Sequence, residues 1–283
     1  MAIGILPMEL RKMDLPSCPI DRLIWPHQDA PSVHTVGELG PDDQIVVYPN
    51  SRIFYQRRPK LACKLSLILT EPKAIHAKYY RTLCFIRHRF YKIICRYPEY
   101  AKTFDNVLLL PVVETWVTDS KSACQIEKTK TCSLIASNKK NLKGHKLRHS
   151  IANWLKVKGL DVDLLGRAYQ PIDNKENGLA PYLYSIVIEN NEEKDYFTEK
   201  LIDCMLCNTM PIYWGCPNIA DYFNVSGMIV CKSAQELKSA IINTTQPITA
   251  KQYLAMAQNK ATAIEMSQLN EHIVTLLKEQ KKR

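Results

Sequence analysis

Tyr182 to Gly215, YLYSIVIENNEEKDYFTEKLIDCMLCNTMPIYWG, constrains the fold of this chain more than any other stretch. Ser185 to Ile188 is a short apolar, β-branched run of the kind that fills an interior strand of a parallel sheet. The chain then turns polar from Glu189 to Asp195, and Asp195 or Thr198 is placed to cap a helix. Leu201, Cys204, Met205 and Leu206 follow at helical spacing, and Met210 to Trp214 resumes a strand. The stretch therefore predicts a βαβ unit. Ligands of open α/β sheets bind at the carboxyl ends of strands, where Glu189, Asn190, Tyr196, Glu199 and Lys200 fall. A helix start there offers free backbone N–H groups and a positive dipole end to phosphate, and Lys200 adds a full charge. Glu189 and Glu199 suit sugar or ribose hydroxyls. On spacing alone the stretch also reads as a capped surface helix with a charged first turn.

A second strand, basic loop and helix lies upstream. Cys132 to Ala136 reads as a strand, followed by Ser137, Asn138 and a loop with Lys139, Lys140 and Lys143. A helix then carries Leu147, Ile151, Trp154 and Leu155 on one face, with Arg148 in its first turns. The planar fork of Arg148 suits bidentate contact with phosphate. Between the two units, Asp161-Val162-Asp163 forms a D-x-D.

The string from Tyr182 to Gly215 resembles the C-terminal signature of the family 10 glycosyltransferases, the α-1,3/1,4-fucosyltransferases, approximately YKFxLAFENSxxxDYxTEKLxxAxxxxxVPVxxG. Its FEN corresponds to Ile188, Glu189 and Asn190, its DYxTEK to Asp195 through Lys200, and its closing PVxxG to Pro211 through Gly215. Leu183 stands where Lys is common, and Asn191 to Lys194 replace a Ser-containing loop. Ser137, Asn138 and Arg148 match the family's Ser-Asn and following Arg, and the resemblance implies that Arg148 grips a donor diphosphate and that Ser137 and Asn138 bind the donor beside it. Glu189, Asn190, Tyr196, Thr198, Glu199 and Lys200 are then donor-binding residues. It makes the D-x-D part of a structural strand, so no metal is assigned to it. Leu69-Thr70-Glu71-Pro72 resembles, more loosely, the Glu-Ser-Pro segment whose acidic residue is the family's general base; Glu114, before Trp116, is a second carboxylate for that role.

The implied architecture is α/β and GT-B-like, with two facing Rossmann-like domains and a cleft between them. Alternating strands and helices in both halves agree with two such domains. The polar segment Val117 to Lys130 sets the boundary: residues 1–120 form the acceptor-side domain and 121–283 the nucleotide-sugar domain. The expected activity is an inverting transfer of fucose or a related sugar from a nucleotide-sugar donor to a hydroxyl of an acceptor oligosaccharide or glycoprotein glycan. GDP-fucose is the family donor; a UDP-sugar such as UDP-xylose is the alternative. No further cofactor is required.

A net charge of +10 suits an anionic partner of some kind. Tyr79 to Tyr97 interleaves aromatics with Arg81, Arg87, Arg89, Lys92 and Arg96, a composition that would also bind single-stranded nucleic acid. With Leu83, Phe85, Ile86, Phe90, Ile93 and Ile94 at helical spacing, an amphipathic helix with a solvated basic face is the better reading, and no nucleic-acid partner is expected. A nucleic-acid-binding module and a degenerate transferase that only binds sugar are the distant alternatives. Ten scattered cysteines read as reduced thiols, Cys204 and Cys207 among them on a core helix. The start of the chain lacks the order of a signal peptide. Its longest apolar run, Val107 to Val113, is far shorter than the ~20 residues of a membrane span. A soluble, cytoplasmic unit is therefore expected, unlike the anchored animal members of the family.

Overall fold

The computed structural model describes residues 1–55, 60–110, 113–123 and 125–279. Pro111, Cys124 and the basic end from residue 280 lie outside the described residues. The chain divides into two compact units: Met1–Val112 together with Gln268–Arg283, and Val113–Ser267.

The first unit is built on strands β1 (Ile3–Ile5), β2 (Gln44–Val47), β3 (Lys64–Leu69), β4 (Ile93–Cys95) and β5 (Val107–Leu109), hydrogen-bonded in that order and parallel throughout. Helices α1 (Ser51–Tyr55), α2 (Lys73–Ile86) and α3 (Pro98–Thr103) connect them. The strands read as unbroken apolar runs because both faces of a parallel sheet are covered. Ile45, Val46 and Val47 have no exposed surface at all.

Helical spacing carried the reading of Tyr79 to Tyr97 too far. α2 ends at Ile86, a 3-10 turn covers Arg87–Arg89, and Ile93–Cys95 forms the strand between β3 and β5. Three successive residues at 0 to 1% exposure need two covered faces, which a surface helix cannot supply. Phe85, placed on the buried face by spacing, is 76% exposed, whereas Arg96 is buried.

In the second unit, helix α4 (Ser120–Ala123) precedes strands β6 (Lys130–Ile135), β7 (Asp163–Leu165), β8 (Tyr182–Ile188), β9 (Met210–Trp214) and β10 (Ile229–Val230). They form a parallel sheet in the order β10-β9-β8-β6-β7. Helices α5 (Lys143–Lys158), α6 (Glu199–Leu206), α7 (Ala234–Ile242) and α8 (Ala250–Met266) complete the unit. α7 is capped by Ser233, whose Oγ accepts the Glu236 N–H at 3.1 Å. Asp163 of the D-x-D sits at the amino edge of the sheet, away from where such sheets bind ligands. Its Oδ2 accepts from Lys130 Nζ at 2.8 Å and from the Tyr182 hydroxyl at 2.7 Å.

Two helices close the described chain. α8 ends at Met266, and α9 (Leu269–Glu279) follows. Leu269, Ile273, Val274 and Leu277 recur along one face of α9 and share a core with Ile3, Ile5, Val46, Ile68, Ile94 and Leu108. The end of the chain thus returns to its first unit, a return for which the sequence boundary near residue 120 made no provision. Among the described residues no helix is long and apolar enough to cross a membrane.

Candidate functional site

The carboxyl edge of the second sheet gathers the charged residues. β8 runs out into Glu189, whose N–H continues the ladder by donating to the Trp214 carbonyl at 2.9 Å. Two glycines let other backbone close around that residue. A Cβ on Gly144, in the first turn of α5, would lie 1.7 Å from the Glu189 carbonyl oxygen, and one on Gly215 would lie 2.5 Å from Glu189 Cγ. The Gly144 N–H in turn donates to the Asn190 carbonyl at 3.0 Å. Glu189 ends with no exposed surface.

Its carboxylate is fully occupied. Oε1 accepts the Thr198 N–H at 2.8 Å and Oε2 accepts the Thr198 hydroxyl at 2.7 Å. Thr198, and not Asp195, is the α6 cap, taking the Lys200 N–H on Oγ1 at 3.4 Å. Lys200 Nζ then donates to Thr198 Oγ1 at 3.0 Å and to Glu199 Oε1 at 2.8 Å, and lies 3.9 Å from Glu189 Oε2. Burial pushes Glu189 above the usual carboxylate range against the pull of Lys200 and the Thr198 hydrogen bonds. For Glu199 burial acts the same way, but the adjacent Lys200 charge and its hydrogen bond win and hold it low. Burial would lower Lys200; the two carboxylates outweigh it and hold its pKa high. Glu199 and Lys200 therefore form an ionised pair at neutral pH.

Arg148 and His145, one turn apart on α5, converge on Asn190. Arg148 is buried, donates from Nη2 to the Ile188 carbonyl, and lies 3.5 Å from Asn190 Oδ1. His145 Nε2 stands 3.1 Å from the same Oδ1. Burial, then the Arg148 charge, lower the His145 pKa below its ordinary value, so the ring is neutral at neutral pH. Ser137 and Asn138 follow β6 at the same edge, Asn138 exposed.

The loop before α6 is fastened by Asp195, which takes a left-handed φ of 60°. Its Oδ1 accepts Asn218 Nδ2 at 2.7 Å and the Tyr222 hydroxyl at 2.9 Å, and its N–H donates to Asn218 Oδ1 at 2.9 Å. Tyr196, expected to touch ligand, is only 1% exposed. Glu189, Asn190, Thr198, Glu199, Lys200 and Arg148 are brought together. Glu71 follows β3 in the first unit, its carbonyl accepting the Tyr80 hydroxyl at 3.1 Å. Glu114, the second carboxylate considered for the base, is exposed in coil of the second unit, past the end of β5 at Leu109.

Sequence reasoning missed Gly144, Lys175 and Asp203. Asp203, inside α6 with no exposed surface, accepts the Thr115 hydroxyl at 2.7 Å and the Trp116 N–H at 3.0 Å on Oδ1. Burial pushes its carboxyl up to about 6 despite the nearby Lys175.

Residues 125–240, which hold every member of this group, match the family model described as Glycosyltransferase family 10 (fucosyltransferase) C-term. This stretch is similar to the C-terminal domain of that family. An alpha-(1,3)-fucosyltransferase of Helicobacter pylori is 34% identical over 70 residues, which is 25% of this chain and 15% of that protein. Among solved structures, an α1,3-fucosyltransferase with GDP is 18% identical with a TM-score of 0.48, over 83% of this chain and 72% of that one. An alpha,alpha-trehalose-phosphate synthase (UDP-forming) from Burkholderia vietnamiensis gives a TM-score of 0.59 at 9% identity, over 87% of this chain and 73% of that one. With its two parallel-sheet units, the chain has an α/β fold of the GT-B class.

Proposed function

We propose that the protein is an inverting glycosyltransferase that moves fucose or a related sugar from a nucleotide-sugar donor to a hydroxyl of an acceptor glycan. The observation that carries this reading is the Glu199–Lys200 pair, set by the Glu189–Thr198 lock at a strand end inside the family 10 stretch. Lys200 and the buried Arg148 supply positive charge where the leaving diphosphate develops its negative charge. Glu199 offers acceptor oxygens to the ribose or sugar hydroxyls. Glu189, sealed from solvent, acts through Thr198 and Lys200 rather than on the donor.

A carboxylate base takes the proton from the acceptor hydroxyl as that oxygen attacks the anomeric carbon. The bond from that carbon to the diphosphate oxygen breaks, and the electron pair leaves with the nucleoside diphosphate. Glu71 is the first choice for the base and Glu114 the second. General-base catalysis typically contributes about 10²- to 10⁴-fold, so Glu71→Gln should lose turnover on that scale while still binding nucleotide. If Glu114→Gln shows that loss and Glu71→Gln does not, the assignment reverses.

Lys200→Met should lower kcat by about 10²- to 10³-fold, the scale of removing one group that stabilises developing charge. Wild-type turnover in that variant would discard the donor site. The family of the matched stretch favours GDP-fucose, and Leu183 with the altered Asn191–Lys194 loop keeps a UDP-sugar as the second reading. Thermal shift against GDP, UDP and their sugars separates the two, because a ligand of the native state raises its stability by mass action. The nucleic-acid alternative loses its support, since the aromatic and basic stretch it rested on is divided between α2, a turn and β4, with Arg96 buried.

A further inference from the structure

Three side chains beside this site have no part in the scheme above. Lys175 lies in the polar loop between β7 and β8, and its charge interacts with those of Asp203, Glu199, Lys200 and Arg148. It is therefore electrically a member of the Glu199–Lys200 group, although no periodicity in the sequence marks it. Its ammonium is 5.9 Å from the centre of the Trp116 ring. That indole is 65% exposed, an unusual position for a large aromatic surface unless something covers it.

The backbone that carries Trp116 is held at both ends. On one side Asp203 Oδ1 accepts the Thr115 hydroxyl and the Trp116 N–H, a link across 88 and 87 residues of sequence. On the other, Glu176 Oε1 accepts the Thr118 N–H at 2.6 Å and the Thr118 hydroxyl at 3.0 Å. Glu176 is the immediate neighbour of Lys175, so the second tie joins the coil that carries Trp116 to the turn that carries the lysine. The second oxygen of Asp203 is buried without a hydrogen-bond partner. A sealed carboxylate that spends one oxygen on two donors of a distant coil is costly unless the placing of that coil matters.

We propose that Lys175 and Trp116 form a subsite for the nucleoside diphosphate, Lys175 bonding a phosphate oxygen and the Trp116 indole stacking on the base, with Asp203 as the positioning residue. The subsite rests on the donor-site reading and adds to it a third cation, beside Lys200 and Arg148, and a planar wall. A stacking face tolerates any base, so it contributes affinity without choosing between guanine and uracil.

The full chain, titrated calorimetrically with GDP, UDP, guanosine, uridine and pyrophosphate, tests the assignment. Lys175→Met should weaken GDP, UDP and pyrophosphate by about 10-fold or more, the worth of one charge-assisted contact, and leave the nucleosides unchanged. Trp116→Ala should weaken GDP, UDP and the nucleosides by about 5- to 100-fold and leave pyrophosphate unchanged, whereas Trp116→Phe keeps a stacking ring and should bind nearly as wild type. Asp203→Ala should follow Trp116→Ala, and Asp203→Asn, which retains an acceptor oxygen, should restore most of the binding. GDP should quench more tryptophan emission in the wild type than in Trp116→Phe, a difference that a merely structural role would not produce. If Lys175→Met and Trp116→Ala bind GDP and UDP as the wild type does while Lys200→Met loses them, the subsite is overturned and the donor site stands. If the wild type binds none of the five probes, both fall.

Discussion

Gly144→Ala should destabilise the second unit by about 4 kcal/mol or more, the range reserved for changes that force a backbone apart. An alanine in an exposed helix interior would normally stabilise by about 1 kcal/mol over glycine. Here the added methyl carbon would stand 1.7 Å from the Glu189 carbonyl oxygen and 2.9 Å from the Asn190 carbonyl carbon, both main-chain atoms that no rotamer change can move. Either α5 lifts from the end of β8, breaking the Gly144–Asn190 hydrogen bond and the Arg148 and His145 contacts, or β8 bends. Gly159 makes the comparison. It closes α5 with φ at 62° and has nothing within 4 Å of its absent Cβ, so Gly159→Ala should cost only about 1 kcal/mol, the price of a left-handed residue with a side chain. Denaturant unfolding of the two variants measures both. Equal stability for Gly144→Ala and the wild type would mean that the helix start does not lie on the strand end.

Asp203→Asn should become progressively more stable than the wild type as pH rises from 4 to 7. Burial raises this carboxyl from an ordinary 3.8 to about 6, with Lys175 and the hydrogen bonds from Thr115 and Trp116 opposing the shift. A group whose folded pKa lies above its unfolded one favours folding while it is protonated, an advantage complete below the unfolded value and lost as pH passes the folded one. Across that window wild-type stability falls by about 3 kcal/mol through this group alone, at 1.36 kcal/mol for each unit of pKa. An amide has no such slope. Parallel pH profiles for the two proteins would show that Asp203 titrates normally, with water or a cation reaching its second oxygen.

Much of the second unit could be read before folding was considered. The apolar runs of β8 and β9 and the cap at Thr198 are local signals, and each element formed where its own residues call for it. β4 was lost because Ile93–Cys95 is short and continues a helical spacing; only its slot between β3 and β5 makes it a strand. The carboxylates and cations of the site were visible as residue types, but their division of labour was not. Glu189 at a strand end looks like a ligand until Gly144 and Gly215, 45 and 26 positions away, close around it. Lys175 and Asp203 stand in a coil and on a helix, tied through partners far along the chain, and no pattern in a window of ordinary length encodes such a tie.

The return of α9 to the first sheet bears on how this chain is made. During synthesis the strands from β1 to β5 leave the ribosome early, yet Ile3, Ile5, Val46, Ile68, Ile94 and Leu108 lack part of their cover until Leu269, Ile273, Val274 and Leu277 arrive. Domains generally fold in order as they emerge. Here the earlier one waits for the later one to be translated, exposing an apolar sheet face in the interval. A chain truncated before residue 268 should accordingly leave that sheet face open and bind a hydrophobic dye that the full chain does not.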